Sequence, residues 1–272
     1  MSTLGRLKKT RIFGKYFFYY LIDDKYIGQR IALGKYESYE TELILRQIKK
    51  EDVVVDVGAN IGYYTVILAK KCKKVYAFEP DKINFEILKK NVEINKLENV
   101  ILINAAVGSK DEEKILYKSK DNLGDHKLFG EGEKEKVKII KLDNFVKEKV
   151  NLVKIDTQGW EPEIFEGAKN LIGKYKPIIF FEYSPASYKQ AKLNGDKMMD
   201  FIKKIYKKFW WIDEWLYIYK NLDKEKIDQI CGTNKTGYAD VWVKKEFNWK
   251  DYWRQYRNFK VKSWVKNTFL GR

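Results

Sequence analysis

Histidine occurs once in the 272 residues, at His126, and cysteine only twice, at Cys72 and Cys231. The two cysteines are far apart and form no CxxC pair, a usage that fits a reducing, cytoplasmic setting. Long apolar runs are also missing: YFFYYLI at 16–22 and PIIFF at 177–181 fall well short of the roughly 20 residues needed to cross a bilayer. The first of these runs follows several basic residues, as in a secretory leader. Asp23, Asp24 and Lys25 come next, where small cleavage-site residues would be required, so no export signal is read. Internal repeats and low-complexity linkers are absent. What is present is 44% hydrophobic residues, enough for a sizeable core in one large domain or at most two small ones, which excludes a disordered chain.

The net charge of +16 is uneven along the chain. Residues 1–15 hold five basic residues and no acidic one, and residues 244–272 hold nine Lys or Arg against Glu246 and Asp251, so the two ends carry +12 between them. A near-neutral middle argues against a continuous nucleic-acid groove; charged ends look like tethers to an anionic surface.

From Asp52 onward short β-rich runs alternate with amphipathic stretches, the pattern of βαβ units in a parallel sheet. VVVDV at 53–57, KVYAFE at 74–79, NVILINAAV at 99–107, NLVKID at 151–156 and PIIFFEY at 177–183 read as strands. Helices are expected over 63–71, 82–95, 163–171 and 198–208, and strands near 209–219 and 237–243 should close the sheet as an antiparallel pair. The polar stretch of about 109–140 reads as a hairpin-like insertion, a common place for function. The expected architecture is a Rossmann-like α/β fold with a mostly parallel seven-stranded sheet and helices on both faces. Residues 1–35 form a basic, aromatic N-terminal segment, 36–243 the domain, and 244–272 a basic, aromatic tail.

The first strand ends in DVGANIG, with Asp56 at its C-terminal end and Gly58 and Gly62 just before a helix, where a ligand sits in an open α/β sheet. Glycine permits the sharp turn and close approach, and the helix N-terminus offers N–H groups to a carboxylate, which suits a small zwitterion. A dinucleotide fingerprint would need glycine at Asn60, which instead supplies an amide, so NAD and FAD are disfavoured. Glu79 closes the second strand at the spacing of an acid that grips ribose hydroxyls. Asn104 to Ala106, ending the third, fall beside an adenine ring. The plainer alternative is that the two glycines only punctuate a turn and Glu79 is a solvated strand end.

These residues resemble a known group. VVDVGANIGYYTVILA, FEP at 78–80, INAAVG at 103–108, DNLGDHKLF at 121–129, KLDNF at 141–145 and KIDTQGWEPEIFEGA at 154–168 look like the FkbM family of S-adenosylmethionine-dependent methyltransferases, over about Gly34 to Ser184. YESYETELI at 36–44 resembles the family's entry motif, with either Glu37 or Glu40 as its acid. The resemblance implies S-adenosyl-L-methionine as cofactor and O-methylation of a sugar, glycan or natural-product hydroxyl. Carried onto this chain, the cofactor set is Glu40, Asp56, Gly58, Ala59, Asn60, Gly62, Tyr63, Glu79, Pro80, Asn104, Ala105 and Asp156. Gln158 stands where many members carry Glu, so a second negative charge is missing there and no metal site is expected.

Methyl transfer from a sulfonium is an in-line displacement, so positioning does most of the work. A base beside the acceptor hydroxyl adds about 100-fold or more. Asp156 and Glu182 close the fourth and fifth strands and His126 lies in the insertion; these three are the candidate catalytic residues. Each has a plainer alternative: His126 as a surface residue, Asp156 as a cap for the helix after Gly159, Glu182 as a strand end reaching solvent. Asp143 reads as a helix N-cap.

Residues 247–269 interleave eight aromatic residues with Lys and Arg. Tyr252, Tyr256 and Phe259 share a helical face beside a cationic one, as in a helix lying on an anionic membrane surface. Packing of these aromatics onto the domain and RNA binding are the alternatives. The expected function is O-methylation of a sugar or lipid-linked glycan, in the cytoplasm and peripheral to the inner membrane face. An RNA methyltransferase and a non-catalytic cofactor-binding scaffold are the competing readings, the first weakened by the lack of an NPPY-type motif.

Overall fold

The computed structural model describes residues 6–119, 122–213, 218–234 and 236–245. Strands β1 (Leu7–Ile12) and β2 (Tyr16–Leu21) pair as a hairpin and lead into helices α1 (Gly28–Ala32) and α2 (Ser38–Gln47). A βα alternation follows: β3 (Val53–Val57), α3 (Tyr63–Ala69), β4 (Lys74–Phe78), α4 (Lys82–Ile94) and β5 (Val100–Ile103). Three strands, β6 (Ala106–Val107), β7 (Glu112–Lys118) and β8 (Glu133–Ile140), form a small sheet of their own. The chain resumes with α5 (Leu142–Phe145), β9 (Leu152–Ile155), α6 (Glu161–Gly167), α7 (Lys169–Tyr175), β10 (Ile178–Tyr183), α8 (Pro185–Gln190) and α9 (Gly195–Ile205). It closes, among the described residues, with β11 (Phe209–Asp213), β12 (Ile218–Leu222), α10 (Lys224–Thr233) and β13 (Ala239–Val243).

The large sheet has the order β12-β11-β13-β10-β9-β3-β4-β5. Strands β10, β9, β3, β4 and β5 run parallel, and β13 is inserted antiparallel between β10 and β11. Chain order reverses between β3 and β9, which opens a crevice outside their C-terminal ends. All five residues of β3 are buried, as expected of a central parallel strand covered on both faces. Side-chain alternation sends Val53, Val55, Val153, Ile155 and Phe181 into one core and Val54, Val75, Leu152 and Phe180 into the other.

This is the expected Rossmann-like methyltransferase fold with one strand more than the seven anticipated. The run over 209–219 supplies two strands, β11 and β12, rather than one. The single strand expected at 99–107 also divides. Asn104 donates from Nδ2 to the carbonyls of Glu79 and Pro80, which ends β5 there; β6 then leaves to join the insertion sheet beside β8. The helix expected over 163–171 is broken at Ala168 into α6 and α7. Asp143 accepts from the N–H groups of Asn170 and Leu171 at 3.0 and 2.8 Å, capping the start of α7 rather than its own helix.

The hairpin is held by Asn91 of α4 and by Asn95, which caps the end of that helix. Asn95 both donates to and accepts from the backbone of Phe17, and Asn91 does the same at Tyr19. Their amide side chains thus stand in for a neighbouring strand. Of the tail, residues 246–272 lie outside the described residues, so its expected amphipathic helix does too.

Candidate active site

A cavity of about 1010 Å³ opens at the crevice, lined by the C-terminal ends of β3, β4, β9 and β10 together with α1, α2, the insertion and the stretch before β13. Three of its lining residues, Glu37, Asn60 and Gln158, have left-handed backbones with φ of 36°, 50° and 56°. Asparagine tolerates that region; Glu and Gln rarely adopt it, and such conformations gather where a site demands them.

The turn after β3 is tight for a steric reason. A Cβ on Gly58 would overlap the carbonyl oxygen of Asp156 at the end of β9, and Gly58 has φ +80°. The N–H groups of the turn itself are used within the protein. Gly58 and Ala59 donate to Phe78 O, Asn60 to Glu79 Oε2 at 2.8 Å, Ile61 to Asn60 Oδ1 and Gly62 to Ala59 O. Asp56 accepts from Thr65 Oγ1 at 2.6 Å and from the Thr65 N–H, so its carboxylate caps α3 from the strand.

Glu79 is 5% exposed and also accepts from the Asp81 N–H at 2.9 Å. Burial, reinforced by the carboxylates of Asp81 and Asp56, pushes its carboxyl up to about 8 against the pull of those two N–H bonds.

The insertion folds over this turn. Leu123 O accepts from the side-chain amides of both Asn60 and Asn84 at 3.0 Å, so Asn60 ties the loop to the insertion. His126 lines the cavity, but its Nδ1 accepts from the Ser119 N–H at 3.0 Å and its Nε2 lies 3.8 Å from Asp81 Oδ2. Burial lowers its basicity. With the Nδ1 lone pair occupied, His126 organises the insertion and does not share the hydrogen bonds that join Asp156 and Glu182.

Those two acids do meet. Gln158 Nε2 stands 3.0 Å from Asp156 Oδ1 and 3.5 Å from Glu182 Oε2. Lys154 of β9, two residues before Asp156, places Nζ 3.1 Å from Asp156 Oδ2 and 4.5 Å over the Tyr64 ring. Burial opposes the charge on Lys154, but the carboxylates of Asp156, Glu37, Glu40 and Asp56 outweigh it and raise its affinity for the proton. Glu182 is held well above the ordinary carboxylate range by burial and by Asp156, Glu161 and Asp240. Asp156 does not cap the helix after Gly159, which has no side-chain cap; Glu161 Oε1 instead ties down the preceding loop by accepting from Thr157 N, Thr157 Oγ1 and Gly159 N.

Of the sequence-derived cofactor set, Glu40, Asp56, Gly58, Ala59, Asn60, Tyr63, Glu79, Pro80 and Asp156 line the cavity. Gly62, Asn104 and Ala105 do not: a Cβ on Gly62 would strike Leu88, Asn104 bonds backward to the turn after β4, and Ala106 and Val107 form the wall in their place. Sequence reasoning missed Lys154, Tyr64 and Asn84. The signal for Lys154 was available, since a lysine within a strand buried on both faces requires a partner. Trp160 Nε1 and Asn84 Oδ1 are buried on residues 5% and 1% exposed, line the cavity and have no hydrogen-bond partner among the described residues, whereas the Tyr64 hydroxyl faces the Glu37 carboxyl.

AglP of Haloferax volcanii, a hexuronic acid methyltransferase, is 32% identical over 142 residues, 50% of this chain and 58% of that protein. Trm5b of Methanocaldococcus jannaschii, a tRNA (guanine(37)-N(1))-methyltransferase, is 40% identical over 63 residues, 23% of this chain and 18% of that protein. The chain thus spans less than two thirds of the length of each. Among solved structures, the methyltransferase FkbM from Methylobacillus flagellatus KT superposes with a TM-score of 0.42 at 18% identity, over 57% of this chain and 38% of that one. The model of the methyltransferase FkbM domain matches residues 56–219, more than half of the chain, and the chain belongs to that family.

Proposed function

We propose that this protein transfers a methyl group from S-adenosylmethionine to a hydroxyl of a sugar or glycan, with Asp156 receiving the hydroxyl's proton. The observation that carries the reading is the placement of Asp156. It follows β9 on the cavity wall, its side chain is 26% exposed where Lys154 is 6%, and it is fixed from both sides by Lys154 and Gln158. A group so held can accept a proton without reorganising.

The cavity residues fit the cofactor. Glu79 is the acceptor for ribose hydroxyls, Asn84 Oδ1 and the wall of Ala106 and Val107 face the base, and the buried Glu37 carboxyl, which meets the Tyr36 and Tyr64 hydroxyls, suits the ammonium. With the loop N–H groups already used, the exposed cations Arg30 and Lys35, which line the cavity, serve the carboxylate. When bound, S-adenosylmethionine supplies an electrophilic methyl on a cationic sulfur. Asp156 and Gln158 orient the acceptor, and the insertion, clasped through Leu123, shields the cofactor turn.

A sugar acceptor is supported by the likeness to a hexuronic acid methyltransferase over half of this chain. RNA is the second reading, favoured by the net charge of +16 and by the likeness to a tRNA methyltransferase over 63 residues. In the sugar reading, residues 36–243 are the catalytic domain and the tail of 244–272 rests on an anionic membrane surface at the cytoplasmic face. Among the described residues no helix is long and apolar enough to cross a membrane. Incubating the protein with methyl-labelled cofactor and separate glycan, lipid and RNA extracts tests the reading. Label in glycan or lipid-linked glycan is expected; label in RNA alone contradicts it.

A further inference from the structure

The crevice occupies one end of the large sheet, and positive charge gathers at the other. Strands β3, β4, β9 and β10 start level, with Val53 beside Lys74 and Leu152 beside both Val54 and Ile178, and antiparallel β13 brings Val243 beside Ile179. The segments 48–52, 70–74, 95–99, 147–151, 174–177 and 244–245 therefore share this base. They hold thirteen lysines against four acidic residues, of which Asp52 is buried and Glu148 is paired with Lys74. A cleft of about 250 Å³ here is lined by Lys149, Lys176, Lys244 and Lys245 and by no acidic residue.

The β1–β2 hairpin aims its tip at the same end. Tyr19 bonds to Asn91 and Phe17 to Asn95, so the hairpin advances along α4 toward that helix's C-terminus and its tip projects beyond it. The tip is a turn closed by Lys15 N–H donating to Ile12 O at 3.1 Å, with Phe13 and Gly14 at φ of 49° and 67°. Such a turn favours Asn, Asp or Gly at its first central position, and a bulky aromatic there is strained. Phe13 is also 53% exposed, its ring meeting only the edge of Tyr16. Strain and apolar exposure at one residue point to a side chain retained for what it contacts. Around it, residues 7–22 hold Lys8, Lys9, Arg11 and Lys15 and no acidic residue.

We propose that this base docks on an anionic lipid bilayer, with Phe13 inserted at headgroup level and the lysines on lipid phosphates, so that the crevice opens away from the membrane. The docking extends the membrane placement of the sugar reading, on which it rests, from the tail to the folded domain. Lys245, the last described residue before the tail, already lies on this face. An apolar tip ringed by cations is the chemistry of a membrane interface. RNA is the weaker occupant, because the cations that would hold its phosphates stand away from the crevice, across the five residues of β3 at about 3.3 Å each.

The test measures co-sedimentation of the full-length protein with vesicles of phosphatidylcholine, alone or mixed with phosphatidylglycerol, and filter retention of polyuridylate. It compares the parent with Phe13→Asn and with the double variant Lys149→Gln, Lys176→Asn. Asparagine suits the left-handed backbones at 13 and 176, so both variants should keep the parent's thermal unfolding midpoint and cofactor affinity. The expected result is binding to the mixed vesicles over phosphatidylcholine alone, with vesicle Kd raised at least about fivefold in each variant. Unchanged vesicle affinity in either variant, or no binding by the parent, overturns the basal docking; sugar methylation, read from labelled glycan, is untouched by that result. Tighter binding to polyuridylate than to the mixed vesicles, lost in the same variants, overturns the membrane as the occupant of this face.

Discussion

Lys154 Nζ, on β9, lies 3.1 Å from Oδ2 of Asp156, which follows the last residue of that strand. Lys154 is also the register partner of Asp56 on β3, so one buried ammonium serves carboxylates on two strands. Pairing of this type is weak evidence for stability, yet removing one partner is costly because the other charges remain. Lys154→Met should lower unfolding free energy by about 3–5 kcal/mol at pH 7. Urea denaturation should show the deficit shrinking near pH 4–5, as the carboxylates left without a cation take up protons. A deficit independent of pH would mean that the lysine acts through packing alone.

Glu79 gives a second prediction, in pH. Its carboxyl is held near 8 in the folded protein against an ordinary 4.5, so the folded state binds that proton more tightly. Its contribution to stability is therefore fully present below about pH 4.5 and is lost as the pH climbs through about 8. Ribose hydroxyls favour the ionised form, so cofactor binding near pH 7 should release protons. Calorimetry in buffers of different ionisation enthalpy reads this directly. Glu79→Ala should weaken cofactor binding; unchanged affinity would displace Glu79 from the cofactor.

The clasp at Leu123 provides a third. Asn60 and Asn84 donate to the same carbonyl, and a hydrogen bond of this type is worth about 1 kcal/mol net. Asn84→Ala should leave the sheet intact and speed amide exchange in residues 122–128, with a severalfold loss of cofactor affinity. Unaltered exchange there would show that the insertion is held by other contacts.

The parallel strands were legible because central strands buried on both faces are near-continuous apolar runs, as VVVDV is. The cofactor turn was legible because Gly58 must be glycine: its backbone is left-handed and Asp156 O blocks a side chain. The reason was not legible, since it lies on a strand about a hundred residues away. The division at Asn104 escaped notice because a side chain bonding back to Glu79 and Pro80 leaves no mark on local periodicity. His126 was a catalytic candidate from its place in the insertion; in the structure its Nδ1 is bonded to the Ser119 N–H and its Nε2 faces Asp81. Lys154 was hidden in plain view, because alternation along β9 assigns it a face but not the acids waiting on that face.

The most direct test of the account is Asp156→Asn, measured for cofactor affinity and for turnover on one preparation. The substitution keeps the shape and the contact with Gln158 while removing the proton acceptor. Cofactor affinity within about twofold of the parent and a fall in kcat of about 100-fold or more is the predicted result. An asparagine variant that turns over at the parent rate, or one that loses the cofactor and activity together, would contradict the role given to Asp156.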